Sequence, residues 1–307
     1  MPYSIGFHKF NPPYWTPQGV YSESGAISLW LSGNTADNYQ GALPTTITKD
    51  GANYVSAWSS SWGAALTNAG GTSVKPYVVG GNKYITFPNN TFLNVGQEIV
   101  INPLTTSSPA NDIVAFFLVI SINAAYFGYN KSWSLLTSYN PADPNYFHSF
   151  VYLQSDSTDR FWFGQRAQTS TASGQNIQSQ MYSSSLIFND KYTLITGFIN
   201  NDSSTFQASS YFYNVDGYGN LVSQTTNITG ISSANYSNLT ATTLNTIPGG
   251  DATTLGLTGY FNCHELLLAD LTYSSNLFTK IEGSMAWKYG IPLPNTHPYY
   301  SSAPLLV

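Results

Sequence analysis

The stretch Gly259-Tyr-Phe-Asn-Cys-His-Glu-Leu-Leu-Leu-Ala-Asp270 is followed, four residues on, by Ser275-Asn-Leu-Phe-Thr-Lys-Ile-Glu-Gly-Ser-Met-Ala-Trp-Lys-Tyr-Gly-Ile-Pro-Leu-Pro294. Leu266, Leu267 and Leu268 run consecutively in the first part, which reads as a late strand. In the second part Leu277, Ile281 and Met285 recur at i, i+4 and i+8, and Phe278 shares their face. Ser275 or Asn276 can cap the first turn, Gly290 can close the last one in the left-handed region, and Pro292 and Pro294 stop the helix. This predicts one amphipathic helix over 275–289, lying against a β structure.

Outward from that point the chain is a succession of short apolar or alternating runs punctuated by Gly, Asn, Ser and Pro. Ile27–Leu31, Lys83–Phe87, Phe147–Leu153, Arg160–Phe163, Tyr192–Ile199, Phe206–Tyr213 and Leu221–Thr225 all read as strands. Ile113–Ile122 is continuously apolar apart from Ser121, as expected of a strand buried on both faces. Asn214-Val-Asp-Gly-Tyr-Gly-Asn220 carries an Asp-Gly turn between two of the runs. About a dozen strands with turn signals between them predict an all-β sandwich or barrel. Residues 1–24 hold Pro2, Pro12, Pro13 and Pro17 among aromatics, which excludes a central strand and predicts an extended N-terminal arm.

Composition narrows the setting. Only 8% of the 307 residues are charged, against about 25% in ordinary soluble domains. Ser, Thr, Asn and Tyr must therefore solvate the surface. The ten Lys and Arg residues are scattered through a chain of net charge −5, so no phosphate-tracking stripe exists and nucleic acid is not expected as a partner. The apolar run at 113–122 is far shorter than the roughly 20 residues of a membrane helix. Met-Pro-Tyr-Ser-Ile-Gly-Phe-His8 has no basic region followed by an apolar one, so no export leader is expected there. Cys263 is the single cysteine, which excludes an intrachain disulfide and a cysteine-based zinc site.

The segment Gly259–Asp270, then Lys280-Ile-Glu-Gly-Ser-Met-Ala-Trp-Lys-Tyr-Gly-Ile-Pro-Leu-Pro294, then His297-Pro-Tyr299 and Ser302-Ala-Pro304, resembles the end of the laminin-G-like, concanavalin A-like lectin/glucanase domain of phage structural and bacterial surface proteins. Ser28–Leu31 is similar to that module's first strand, while Ser60 and the Tyr84–Pro88 run stand where the module usually carries Asp. The resemblance covers roughly residues 27–304. It implies a two-sheet antiparallel jelly-roll sandwich with one C-terminal helix: an arm at 1–24, the sandwich with its helix at 25–290, and a tail at 291–307 packed on the domain. That fold hosts lectins, glycanases, adhesins and capsid decorations, so it does not decide the function.

The glucanases of this fold carry their acids on one strand as E-x-D-x-x-E, and glycan hydrolysis needs two carboxylates about 5–9 Å apart. The four glutamates, Glu23, Glu98, Glu265 and Glu282, do not have that spacing, and Glu265 reads as a structural carboxylate. No G-x-S-x-G elbow occurs, and Cys263 and His264 are adjacent in a strand and so cannot pair. His8, His148, His264 and His297 are dispersed, and no cofactor or metal is expected. Calcium is the one ion the fold's relatives often take, but the 214–220 loop and Asp251 lack the acids such sites use. The expectation is a protein that is not an enzyme.

The aromatics carry more information. Trp133, Tyr139, Tyr146, Arg160, Trp162 and Arg166 mix large rings with two guanidinium groups among Ser and Asn. Sugars stack on such rings, protein partners use the same residue types, and plain core packing is the remaining alternative. The expected role is a virion surface protein, a phage capsid decoration or a fibre-type adhesin, with a lectin-like sandwich and glycans as candidate ligands. Its other partners would be virion proteins or its own copies, reached through the arm. The alternative is a secreted carbohydrate-binding lectin or adhesin of a cell, with an extracellular location; a glycan hydrolase ranks third.

Overall fold

The computed structural model describes residues 27–33, 46–50, 52, 54–59, 66–68, 76–78, 84–88, 93–95, 113–122, 132–140, 143–155, 161–168, 177–178, 181–183, 191–202, 205–215, 221–231, 244–247, 261–270 and 275–305. The predicted arm at 1–24, Asp251 and most of the 214–220 loop lie outside the described residues.

Two antiparallel sheets and one helix account for the described elements. The first sheet contains β1 (Ile27–Ser32), β5 (Ile85–Phe87), β7 (Ile113–Ser121), β13 (Thr193–Asp202), β14 (Thr205–Val215), β15 (Leu221–Ile231) and β17 (Phe261–Asp270). Its order is β1-β17-β7-β13-β14-β15, and β5 shares with β1 one edge of β17. The second sheet contains β2 (Thr46–Lys49), β3 (Val55–Ser59), β4 (Leu66–Asn68), β6 (Leu93–Val95), β8 (Ser132–Asn140), β9 (Asp143–Ser155), β10 (Phe161–Gln168), β11 (Ile177–Gln178), β12 (Met181–Ser183) and β16 (Leu244–Ile247). Its order is β11-β10-β9-β8-β16-β6-β4-β3-β2, with β12 also on β10. Trp58 of β3 is fully buried and its indole N–H donates to the carbonyl of Ser32 at 3.1 Å, tying the second sheet to the end of β1.

The central pair of the first sheet explains the apolar run at 113–122. On β7, Ala115, Phe117 and Val119 belong to the cluster under the helix, while Phe116, Leu118 and Ile120, on the opposite face by strand alternation, are equally buried. Against them β17 sets Leu266, Leu267, Leu268 and Ala269, in register with Leu118, Phe117, Phe116 and Ala115. Two covered faces leave no place for the apolar–polar alternation of a half-exposed strand.

The helix α1 spans Ser275–Tyr289. Leu277, Phe278, Ile281, Met285 and Ala286 pack on Ala115, Phe117, Val119, Leu194, Leu267 and Ala269. Rings of Phe117 and Phe278 lie 4.9 Å apart. Each large side chain so buried contributes about 1.5–3 kcal/mol. The helix ends in a Schellman motif: Gly290 has φ 65°, its N–H bonds the Trp287 carbonyl at 3.3 Å, and the Ile291 N–H bonds the Ala286 carbonyl at 2.8 Å. Lys288 in the last turn faces the negative end of the helix dipole. Residues 291–304 then fold back over the helix, with Ile291, Leu293, His297, Ala303 and Pro304 buried.

Candidate functional site

Five of the six aromatic and arginine residues singled out in the sequence fall on three neighbouring strands. Trp133 and Tyr139 are on β8, Tyr146 on β9, and Trp162 and Arg166 on β10; Arg160 lies outside the described residues. The ladders align Trp133 with Leu153, Tyr139 with Phe147, Trp162 with Gln154, and Arg166 with Ser149. Residues separated by up to 33 positions in the sequence are thus gathered on one continuous piece of the second sheet, but not on one face of it: the partners of Trp133 and Trp162, Leu153 and Gln154, are consecutive on β9, so the two tryptophans hold register positions of opposite faces.

The described glutamates are placed very differently. Glu282, on α1, is 2% exposed and accepts at one oxygen from the Thr196 hydroxyl at 2.6 Å and the Tyr213 hydroxyl at 3.1 Å. Its other oxygen faces His297 Nε2 at 3.3 Å. His297 Nδ1 accepts the Tyr299 backbone N–H at 3.1 Å, so the ring proton sits on Nε2 and is donated to Glu282. Glu265 is fully buried and accepts from the Trp30 indole at 2.8 Å, the Lys288 ammonium at 2.6 Å and the Tyr289 hydroxyl at 2.9 Å. Tyr299 lies against Gly283 so closely that an added Cβ would stand 2.8 Å from its Cβ. Trp287 donates to the Tyr299 carbonyl at 2.8 Å. Glu282, Gly283, Trp287, Lys288, Tyr289, His297 and Tyr299 of the two motifs therefore form one locking device that holds strand, helix and tail together. Glu265 lies between β1 and β7 in the sheet interior, not at an edge.

A second buried polar group sits at the start of β17. The register between β17 and β7 slips between Cys263 and Glu265, so His264 is the extra residue of a β-bulge. The Thr86 hydroxyl donates to Asn262 Oδ1 at 3.0 Å, the Asn262 amide to Ser121 Oγ at 3.3 Å, and Ser121 Oγ lies 2.9 Å from His264 Nε2. The rings of Tyr84, Tyr192 and Tyr289 surround the imidazole at 5.0, 4.7 and 6.1 Å between centroids. Burial, with a smaller contribution from the Lys288 charge, lowers the His264 pKa to about 3, so this ring is neutral. Burial pushes the Tyr192 phenol up, and Tyr84 beside it adds to the shift. Cys263 is fully buried, and its thiol is raised first by burial and then by the Glu265 carboxylate, which leaves it an inert core group. Among the described residues no three His, Cys, Asp or Glu side chains are grouped as a metal site.

No family model and no curated protein matches the sequence. Similarity appears in solved structures. An arabinofuranosidase complexed with arabinofuranosyl-alpha-1,2-xylobiose superposes over 90% of this chain with a TM-score of 0.53 at 11% identity, and a GH54 α-L-arabinofuranosidase soaked with a cyclic sulfate inhibitor over 90% with 0.51 at 10%. The chain spans 65% and 66% of those two proteins, just under two thirds of their length. An endo-1,3-beta-glucanase from Streptomyces sioyaensis covers 80% of this chain and 96% of its own with a TM-score of 0.39 at 11% identity, a level that carries no argument. At these identities the likeness is one of fold: all-β, of a kind found in glycoside hydrolases.

That finding corrects the expectation of a protein that is not an enzyme. The fold shared at a TM-score above 0.5 belongs to arabinofuranosidases. The physical reason is that catalytic acids need not share a strand. E-x-D-x-x-E describes acids on one strand only, whereas acids from separate strands and loops can converge without any local spacing.

Proposed function

We propose that this chain recognises a carbohydrate polymer, on a concanavalin A-like jelly-roll arrangement of its two sheets, with the β8–β9–β10 strands as the contact region. The observation that carries this reading is the gathering of Trp133, Tyr139, Tyr146, Trp162 and Arg166 on three adjacent strands. Indole and phenol rings stack on the C–H faces of sugars, and guanidinium and amide groups hydrogen-bond their hydroxyls. The superposition on arabinofuranosidase structures supports the same ligand class.

Hydrolysis of a glycosidic bond is the second reading, favoured by those same neighbours. Glu265 and Glu282 are then not the catalytic acids, because each is buried and already accepts or faces three donors. The setting we propose is a virion surface, where the protein would touch other virion proteins or its own copies through the 1–24 arm; an extracellular lectin is the alternative. Low charge and the proline-rich aromatic arm support the first.

The test is to incubate the purified chain with arabinoxylan, xylan, laminarin and mixed-linkage β-glucan, reading retardation in polysaccharide-containing gels and release of reducing ends. Retardation by at least one polymer is expected. Release of reducing ends by the same polymer adds hydrolysis, and neither response from any of them overturns the reading. Mass spectrometry of purified particles from the source lysate checks the setting: peptides at many copies per particle are expected.

A further inference from the structure

We infer that Trp287, in the last turn of α1, and Tyr300, in the tail that folds back over it, form a second saccharide contact: an open platform of two aromatic rings on which a neutral sugar chain stacks. The inference rests on the carbohydrate reading above. It adds a contact on the helix that covers the first sheet, apart from the β8–β9–β10 strands.

Positions 281–286 of the helix are buried without interruption. Trp287 then breaks the pattern with 38% of its surface exposed, and Tyr300 is 54% exposed. Large apolar side chains scattered singly over a surface are ordinary. These two are not scattered. The indole N–H of Trp287 bonds the Tyr299 carbonyl at 2.8 Å, and that carbonyl belongs to the same peptide unit as the Tyr300 N–H. Both residues are also held in place. The bond to Tyr299 pins the Trp287 ring. The Tyr300 N–H bonds the His297 carbonyl at 3.0 Å, and His297 faces Glu282 at 3.3 Å, so the lock between helix and tail fixes the turn that carries Tyr300. Neither ring packs against another ring among the described residues.

The surroundings define the ligand. Residues 289–305 carry no Lys, Arg, Asp or Glu, and Lys288, next to Trp287, is held by Glu265 at 2.6 Å. Asn295, Thr296, Ser301 and Ser302 are exposed in the same tail and offer neutral amide and hydroxyl groups. A charged ligand finds no counter-charge in this tail, whereas a sugar finds partners for its hydroxyls. The Trp287 N–H is already used, so what the indole offers a ligand is the face of its ring, and such faces stack on the C–H faces of sugars. A protein partner fits less well. The two side chains leave roughly 200 Å² open, against about 800 Å² from each side of a stable protein interface. A ring that is already pinned loses little freedom on binding, which favours a small contact of this kind.

The experiment uses the full chain with its seven tryptophans replaced by 5-fluorotryptophan. The 19F signals of Trp287 and Trp162 are assigned with Trp287→Phe and Trp162→Phe. The protein is then titrated with millimolar xylohexaose, laminarihexaose and arabinoxylan oligosaccharide. The expected result is a saturable shift of the Trp287 signal with at least one of them. Tyr300→Ala should weaken that response about tenfold with the thermal midpoint unchanged, and Tyr300→Phe, which keeps the ring, should retain it. Trp162→Phe should leave the Trp287 response as it is. A full-strength response in Tyr300→Ala overturns the two-ring platform. Oligosaccharides that shift only the Trp162 signal overturn it too and leave the sheet contact standing. If they shift neither signal while polysaccharide gels still retard the chain, the platform falls and the carbohydrate reading survives; without retardation, both fall. A Trp287 signal that moves with protein concentration instead of sugar makes the patch a contact between copies and overturns the inference.

Discussion

The two sheets are written in different alphabets. β7 and β17 of the first sheet read Ile-Val-Ala-Phe-Phe-Leu-Val-Ile-Ser and Phe-Asn-Cys-His-Glu-Leu-Leu-Leu-Ala-Asp. β8 and β10 of the second read Ser-Trp-Ser-Leu-Leu-Thr-Ser-Tyr-Asn and Phe-Trp-Phe-Gly-Gln-Arg-Ala-Gln. The first pair is buried on both faces, under a helix and a tail that are locked down by two carboxylates. The second mixes large rings with hydroxyls, amides and a guanidinium. The difference teaches what each alphabet can be tested for: the first sheet carries the described core, and the second carries the residues of the proposed contact.

This comparison breaks first at Glu282. Glu282→Ala removes the acceptor shared by Thr196, Tyr213 and His297 in a buried site. A loss of about 3–5 kcal/mol in denaturant unfolding is expected, and a loss under about 1 kcal/mol would mean that the lock contributes little. Acid titration sharpens it next. The folded His264 pKa is about 3 against an ordinary 6.5, so between those values the unfolded chain binds the extra proton and the folded one does not. This contribution to stability is complete above pH 6.5 and falls as pH drops toward 3, by up to about 1.4 kcal/mol per unit. His264→Gln should flatten that part of the profile, and an unchanged slope would contradict the assignment. Gly283→Ala follows: its Cβ would meet Tyr299 atoms at 2.8–2.9 Å and force the tail outward, at a cost of about 1–3 kcal/mol by thermal unfolding. In contrast, Trp162→Ala on the second sheet should change polysaccharide retention more than stability.

Legibility in the sequence follows the same divide. Leu277, Ile281 and Met285 announce the helix because their periodicity is local, and Gly290 announces its end because a left-handed residue there is best a glycine. The continuous run at 113–122 foretold burial on both faces for the same reason. β11, β12 and β16 hold two to four residues each, too few for any period to register. The 83–87 run predicts a strand that includes Tyr84, but β5 begins at Ile85 and the Tyr84 ring packs against His264. The polar networks were invisible because their partners are far apart along the chain: Thr196 lies 86 positions from Glu282, and Ser121 lies 143 from His264. Only the motif resemblance marked Glu265, Glu282 and His297 at all. Strand alternation does not hold at Cys263 and His264, because a bulge there delivers His264 to Ser121, and nothing local in the sequence marks that bulge.

The most direct measurement of the central claim is affinity electrophoresis of the wild type, Trp162→Ala and Arg166→Ala through gels containing arabinoxylan, xylan, laminarin or mixed-linkage β-glucan. Carbohydrate recognition by the β8–β9–β10 strands predicts retardation of the wild type by at least one polymer and its loss, by about tenfold in affinity, in Trp162→Ala. Equal migration of all three proteins in every gel would contradict it.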